Sequence, residues 1–463
     1  MHMDSIDPKI FKAYDIRGIY PDQLNETNIV AIIRAFYKFF HDTIGKEQLS
    51  VVLAYDMRIS GPQLYEVAKK TLVEMGANVI EVGQLSTTSF YFSVFHYGYD
   101  CGIQITASHN PKEWNGMKAV RYTPAGLVKI GKPTGMEDVK RMALEGVDFT
   151  PKQTGRITKI EGILEDEVQQ TLKMFGNPTL KRFKIVADPA NAMGIQYLEA
   201  LFDKVPADLI KMNFTLDGTF PAHEANPLNF ETLVGLQKRV VEEKADFGLA
   251  TDGDGDRLYF IDENGKIVNA TTITSIVARE LLKTHPGALI YFDIRDILTP
   301  QKIVEEAGGK SEIVRVGHAY ITAAMNESGG IFAGESSGHM FFRETGNAES
   351  NLPVMVCVMK VLTQEGKTLS QLAEEVRRSF ESGEFNFKVT NAPEILDELK
   401  ERYKDGTLET MDGISVSYPT WRFNVRTSNT EPLMRLNVES YDRAEMESRR
   451  DELMNIIKSL AKA

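Results

Sequence analysis

Two short polar segments carry residue types that could do chemistry together. The first is Thr106-Ala107-Ser108-His109-Asn110-Pro111, directly after the apolar run 101–105. A buried strand that ends in a polar loop presents a hydroxyl nucleophile, Ser108, where open α/β sheets collect ligands. The plainer alternative is a Ser/Asn/Pro turn. The second is Asp252-Gly253-Asp254-Gly255-Asp256-Arg257. Three carboxylates this close repel one another unless a cation sits among them. The intervening glycines let the backbone curl so that alternate oxygens converge. Such hard donors suit Mg²⁺, Mn²⁺ or Ca²⁺. An EF-hand would also find Glu263 at its twelfth position, but its sixth is Arg257 where that loop needs glycine, and the preceding segment reads as strand. Without a metal, the segment is a solvated acidic turn.

Two further loops are rich in ligand-binding groups. Arg426, Thr427, Ser428, Asn429 and Thr430 form a dense set of donors. Arginine binds phosphate bidentately, and hydroxyls and backbone amides complete an anion cradle. Glu335, Ser337 and His339 mix donors and acceptors on one loop, a set suited to sugar hydroxyls. His318 and Arg17 stand in Val-Gly-His-Ala-Tyr and Tyr-Asp-Ile-Arg-Gly, where a structural histidine and a surface ion pair are the plainer readings. Gly309-Lys310-Ser311 and Gly366-Lys367-Thr368 lack the upstream glycine of a Walker loop. No Gly-x-Ser-x-Gly elbow surrounds Ser108.

The elements that position these loops follow from hydrophobic periodicity. Residues 25–45 read as a helix, with Ile29, Ile32, Ile33, Phe36 and Phe40 on one face and Gly45 as its stop. Strand, helix and strand then alternate: 50–55, 63–75, 78–82, 89–97 and 101–105. This alternation implies a mostly parallel sheet with helices on both faces. The pattern restarts after 150–155 and again near Gly265. Gly-Ile-Gln-Ile-Thr, Phe-Gly-Leu-Ala-Thr and Gly-Gly-Ile-Phe-Ala, each before a polar loop, suggest a weak threefold repeat. From about Leu369 the strands lie closer together, as in an antiparallel α+β domain. The expected units are 1–155, 156–265, 266–368 and 369–463: three similar mixed-sheet α/β domains plus a C-terminal α+β domain around a central cleft.

Composition bounds the function. The chain has 463 residues, with 42% hydrophobic and 25% charged residues, ordinary for a globular protein. Its net charge is −12, from 53 basic and 65 acidic residues. That disfavours nucleic acid as a partner and requires any site for an anionic ligand to concentrate positive charge locally. Cys101 and Cys357 lie in apolar runs without metal-ligand spacing, as buried thiols of a reducing compartment do. No apolar run is long enough to span a membrane, so a cytoplasmic protein is expected. The Met-His-Met start is given no role.

Taken together, the motifs at 14–18, 106–111, 252–257, 334–339 and 426–432 resemble the α-D-phosphohexomutase family, in particular its phosphomannomutase/phosphoglucomutase group. The resemblance covers essentially the whole chain. It implies that Ser108 carries a phosphoryl group on a loop with His109 and Asn110. It implies that Asp252, Asp254 and Asp256 bind Mg²⁺ together with Ser108. Lys118 would be a general acid/base, provided its pKa is lowered. Arg17 and Arg257 would steady the transferring phosphate, and His318 would assist near the sugar. Glu335, Ser337 and His339 would contact the sugar, while Arg426, Ser428, Asn429 and Thr430 would hold the phosphate that is not reacting. Arg295 is a further expected substrate contact. The implied reaction interconverts hexose 1-phosphate and hexose 6-phosphate, with hexose 1,6-bisphosphate as intermediate and activator. Phosphoglucosamine mutase, a metal-dependent sugar phosphatase and a non-catalytic sugar-phosphate or Ca²⁺ binder are the alternatives. A monomer or weak dimer is expected, with a hinge near 366–384. Ser336 is too small to choose between mannose and glucose.

Overall fold

A computed structural model describes residues 6–427 and 433–462. Three sheets repeat one order of strands. The first runs Ile16–Ile19, Trp114–Thr123, Cys101–Ile105, Ser50–Tyr55, Asn78–Gln84, Arg156–Lys159. The second runs Ile267–Val268, Leu258–Asp262, Phe247–Thr251, Phe183–Asp188, Ala207–Lys211. The third runs Ala348–Glu349, Met340–Phe342, Phe332–Gly334, Leu289–Asp293, Lys310–Val314. In each, the middle strand pairs parallel with one neighbour and antiparallel with the strand that follows it in sequence. The weak sequence repeat is therefore a repeat of topology. The loops after Ile105, Thr251 and Gly334 are equivalent connections, each at the point where the chain reverses.

A second repeated feature fixes the neighbouring strand ends. Asp56, Asp188 and Asp293 stand at equivalent positions, and each accepts the backbone N–H two residues on, from Arg58 at 3.0 Å, Ala190 at 3.0 Å and Arg295 at 2.9 Å. These Asx turns cap the strands and turn the chain towards the same edge as the three loops.

Helices cover the sheets because their apolar residues recur with the helical period. In Asn28–Ile44, Ile29, Ile32, Ile33, Phe36 and Phe40 are all fully buried, and Gly45 ends the helix in the left-handed region at φ 73°. The first domain has its own core. A larger core runs without interruption from Val168 in the second domain through Phe260 and Ile276 to Val376. The fourth sheet is wholly antiparallel, in the order Phe380–Glu381, Leu433–Ser440, Trp421–Thr427, Ile414–Ser417, Thr407–Glu409, with Phe385–Lys388 also on Leu433–Ser440. It has a separate core against the helices Ala392–Arg402 and Arg443–Leu460.

Two elements sit on the other side of the boundaries expected from sequence. Arg156–Lys159 adds to the first sheet, in parallel with Asn78–Gln84, rather than opening the second unit. The helix Leu369–Val376 buries Leu369, Leu372 and Val376 in the core shared by the second and third units, not in the fourth. The strand is exposed at every position and is placed by its backbone pairing alone, while the helix is a short amphipathic segment whose apolar residues do not say which core receives them. Among the described residues, no helix is long and apolar enough to cross a membrane.

Candidate active site

The equivalent loops face one cavity of about 390 Å³. Its walls bring together Arg17, Ser108, His109, Asn110 and Lys118 from the first unit and Asp256 and Arg257 from the second. The third unit adds Arg295, His318, Glu335, Ser337 and His339, and the fourth adds Arg426. A larger cavity, about 820 Å³, lies between the helices Ile163–Met174 and Gly194–Lys204 and carries none of these groups, so size does not mark the chemistry. Ser428, Asn429 and Thr430 lie outside the described residues.

Ser108 is buried and holds a left-handed backbone conformation, φ 53°, which costs a non-glycine residue about 1 kcal/mol or more. The surroundings over-determine it. Its N–H donates to Thr106 Oγ1 at 3.0 Å, and Thr106 Oγ1 donates to Asp56 Oδ2 at 2.7 Å. The Arg58 guanidinium donates to four backbone carbonyls of the loop: Ser108 at 2.8 Å, Asn110 at 2.6 Å, Pro111 at 2.8 Å and Trp114 at 2.8 Å. Arg17 donates from Nη1 to Asn110 Oδ1 at 2.5 Å, while its Nε meets Asp15 at 2.8 Å. Ser108 Oγ lies 3.1 Å from His109 Nδ1. Burial, with Arg257 and Arg17 nearby, pushes the His109 imidazole well below its usual range, so it is neutral.

The aspartate loop packs directly on the serine loop. A Cβ on Gly253 would come within 2.3 Å of the Ser108 carbonyl oxygen, so only glycine permits this approach. One carboxylate oxygen from each of Asp252, Asp254 and Asp256 lies within 4.8 Å of the others, and all three residues are buried. Among the described residues, Asp252 Oδ2 and Asp254 Oδ1 have no hydrogen-bond partner. Three converging buried carboxylates, two of which keep an oxygen free of hydrogen bonds, are what a divalent cation would satisfy, so the donor set fits Mg²⁺. Burial and the adjacent Asp256 and Asp254 push the Asp252 carboxyl up to about 8.

Lys118 Nζ donates to Asp254 Oδ2 at 2.5 Å and to Asp256 Oδ2 at 2.6 Å. Burial lowers the pKa of this amine, but Asp254 and Asp256 outweigh it and hold the ammonium well above its usual range. The lowered pKa that a resting base requires is thus not found with the carboxylates bare. A cation among them would remove part of this Coulombic support.

The third loop is tied to the second through His339. Its Nδ1 lies 2.8 Å from Glu335 Oε2, and its Nε2 lies 3.1 Å from Asp256 Oδ1. Burial works against the charge, yet Asp256 and Glu335 raise the imidazole to about 9, so it is an imidazolium at neutral pH. Ser337 Oγ meets the same ring at 3.0 Å, and Glu335 Oε1 accepts the N–H of Gly317 at 2.9 Å, beside His318. Burial and the nearby Lys129 and Lys118 push His318 well below its usual range. Arg257 Nε stands 3.3 Å from His339 Nε2. Arg295 is held by Asp293 through two contacts of 2.9 Å.

Several side chains that build this site were not singled out from sequence. Arg58 is one, although Asp56-Met57-Arg58 recurs as Asp293-Ile294-Arg295, a detectable signal. Lys129 is another: fully enclosed, it pairs with Glu349 and lies 4.9 and 4.8 Å from the Tyr91 and Phe341 ring centroids. Glu349 in turn approaches His318 Nδ1 at 4.0 Å. Nothing local marks this pair, because its members are 220 positions apart.

Three repeated α/β units and a fourth lobe, which set a buried serine, a carboxylate trio and several arginines around one cavity, define an enzyme of the phosphoryl-transferring mutase class. Comparison with known proteins places it further. The chain belongs to the phosphoglucomutase/phosphomannomutase family: it matches that family's alpha/beta/alpha domain I over 8–129, domain II over 166–265, domain III over 269–380 and the C-terminal domain over 384–456. A phosphomannomutase of Salmonella montevideo is 34% identical over 460 residues, 97% of this chain and 99% of that protein. One of Escherichia coli K12 is 35% identical over 459 residues, 96% of this chain and 98% of that protein. A solved phosphoglucomutase/phosphomannomutase family protein of Burkholderia thailandensis superposes with a TM-score of 0.87 at 28% identity, covering 99% of both chains.

Proposed function

We propose that this protein interconverts the 1- and 6-phosphates of a hexose, mannose or glucose, through a phosphoserine at Ser108 and a hexose 1,6-bisphosphate. The observation that carries the reading is the contact of the serine loop with the aspartate loop at Gly253. Ser108 and the trio Asp252, Asp254 and Asp256 would hold Mg²⁺, which supplies neutralisation of the charge that develops on the transferring phosphoryl group. In the forward step the Oγ–P bond of phosphoserine breaks as the free sugar hydroxyl forms its own bond to phosphorus. That hydroxyl's proton must leave, and Lys118 is the acid/base within reach of the trio; as an ammonium it would serve equally to protonate the departing oxygen. Arg17 and Arg257 would steady the phosphoryl oxygens. Glu335, Ser337, His339 and His318 would orient the sugar, and Arg426, Arg295, Ser428, Asn429 and Thr430 would hold the second phosphate. The bisphosphate then turns over and returns its other phosphate to Ser108, so a trace of it primes an unphosphorylated enzyme.

The test is incubation with mannose 1-phosphate or glucose 1-phosphate plus a trace of the bisphosphate. Formation of the 6-phosphate, lost in Ser108→Ala, is expected. Release of free phosphate without isomerisation would favour a phosphatase, and unimpaired function of Ser108→Ala a binding protein. Parallel kinetics with glucosamine 1-phosphate rank the third sugar.

A further inference from the structure

One acidic side chain sits among the arginines of the cavity. Glu384 lies on the connection into the fourth sheet, between Phe380–Glu381 and Phe385–Lys388. Its Oε2 meets Arg426 Nη2 at 3.0 Å and Arg295 Nη1 at 3.7 Å, and its Oε1 meets Arg435 Nη1 at 3.2 Å. Three guanidinium groups from two domains therefore converge on one carboxylate inside the cavity. A guanidinium fork matches carboxylate and phosphate oxygens alike.

Asp293 provides the contrast. It grips Arg295 at 2.9 Å, and its side chain is 0% exposed, as a permanent brace should be. The Glu384 side chain is 23% exposed and makes longer, single contacts. Gly383, just before it, takes φ 74° and, among the described residues, has no atom within 4 Å of where a Cβ would stand, so the backbone there has room to swing. Burial opposes ionisation of Glu384, but Arg295, Arg426 and Arg435 hold its carboxyl below the usual range, so it is an anion at neutral pH.

We propose that Glu384 is an internal counter-ion that occupies the seat of the substrate's non-reacting phosphate and must be displaced by every phosphosugar that binds. The inference rests on the reading of Arg426 and Arg295 as phosphate-holding residues. It gives the carboxylate a definite role. By competing for the arginines it weakens uniform binding of phosphate, which lowers affinity without raising the chemical barrier. It also offers the arginines a partner whenever the bisphosphate lets go to turn over.

Calorimetric titration of inorganic phosphate and of glucose 1-phosphate into the full chain, with and without Glu384→Gln, tests this. The variant should bind both ligands about two- to fivefold more tightly, the worth of one partly exposed ion pair. Glu384→Asp, with the charge kept on a shorter arm, should fall between. In turnover, KM should fall with kcat in Glu384→Gln. Unchanged or weaker phosphate binding by a variant with parental circular dichroism would make Glu384 a brace and overturn the proposal. Failure of the mutase reading looks different: tighter binding by Glu384→Gln with no isomerisation by the parent leaves the counter-ion standing and removes the mutase.

Discussion

The seams among the first three domains and the seam to the fourth are built differently. In the first group, backbone meets backbone in addition to the buried ion pairs of Lys118 and Lys129. Leu127 N donates to Gly346 O at 2.8 Å, Thr87 N to Asp254 O at 2.9 Å and Leu258 N to Gly338 O at 3.1 Å. Glycines make these approaches possible, and one apolar core joins the second unit to the third. The fourth domain keeps its own core and is attached by side chains. Arg422 donates to Arg295 O at 2.7 Å and Ile294 O at 2.9 Å, while Glu439 accepts from the N–H groups of Ile297 at 2.8 Å and Leu298 at 2.9 Å. Close-packed backbone has few alternative arrangements, whereas charged side chains can exchange partners as ligands bring and remove charge. The chemistry at Ser108 thus sits on the side joined through backbone, and Arg426 on the side joined through charged side chains.

The strongest challenge to this contrast is at Arg58, which sits under the second domain's Gly218 and 5.5 Å from the Phe220 ring centroid. Arg58→Ala should lower kcat by about 100-fold or more with KM nearly unchanged, because the nucleophile is misplaced while the phosphate grip is intact. Steady-state kinetics decide it, and an unaltered kcat would mean that the seam joined through backbone does not hold the serine. Next in size, Lys129→Met leaves Glu349 buried without its partner and should cost about 3–5 kcal/mol in denaturant unfolding. Exchanging both for apolar residues should restore much of that loss. Gly126→Ala should cost about 1–3 kcal/mol, since its φ is 148° and a Cβ would stand 2.4 Å from Asn326 Oδ1.

The smallest effect concerns the seam to the fourth domain. Burial, then Glu439 and Asp293, push Glu381 up to about 7, and burial with Glu381 and Glu439 raises Asp296 well above its usual range. Both folded values lie above the unfolded ones, so their contribution to this joint is full at low pH and fades as pH rises through about 7. The radius of gyration in small-angle scattering should therefore increase slightly between about pH 5.5 and 8. Glu381→Gln should flatten that change, and a radius that fell with pH would reverse the assignment of the seam.

Much of the fold was legible because short-range rules decide it. Helical spacing in 28–44 and the apolar runs at 101–105 and 247–251 mark a helix and two strands without reference to partners. The threefold repeat is faint in sequence, since any short apolar runs can look alike, and becomes plain from the strand order. The helix Leu369–Val376 packs into the core of the second and third units rather than the fourth, and the spacing of its apolar residues does not say which core they meet.

Sequence by itself determined which chemical groups exist and on which loops they stand: Ser108, the alternating aspartates, Glu335 with His339, and Arg426. Spacing along the chain sets those groups, so they can be read there. Only the tertiary structure decided what neutralises what. That Arg58 binds the serine loop's carbonyls, that Lys118 lies on Asp254 and Asp256, and that Glu384 draws three arginines together depend on distances across sheets and domains. Electrostatic energy varies with separation and burial in space, and neither is a property of position in the chain.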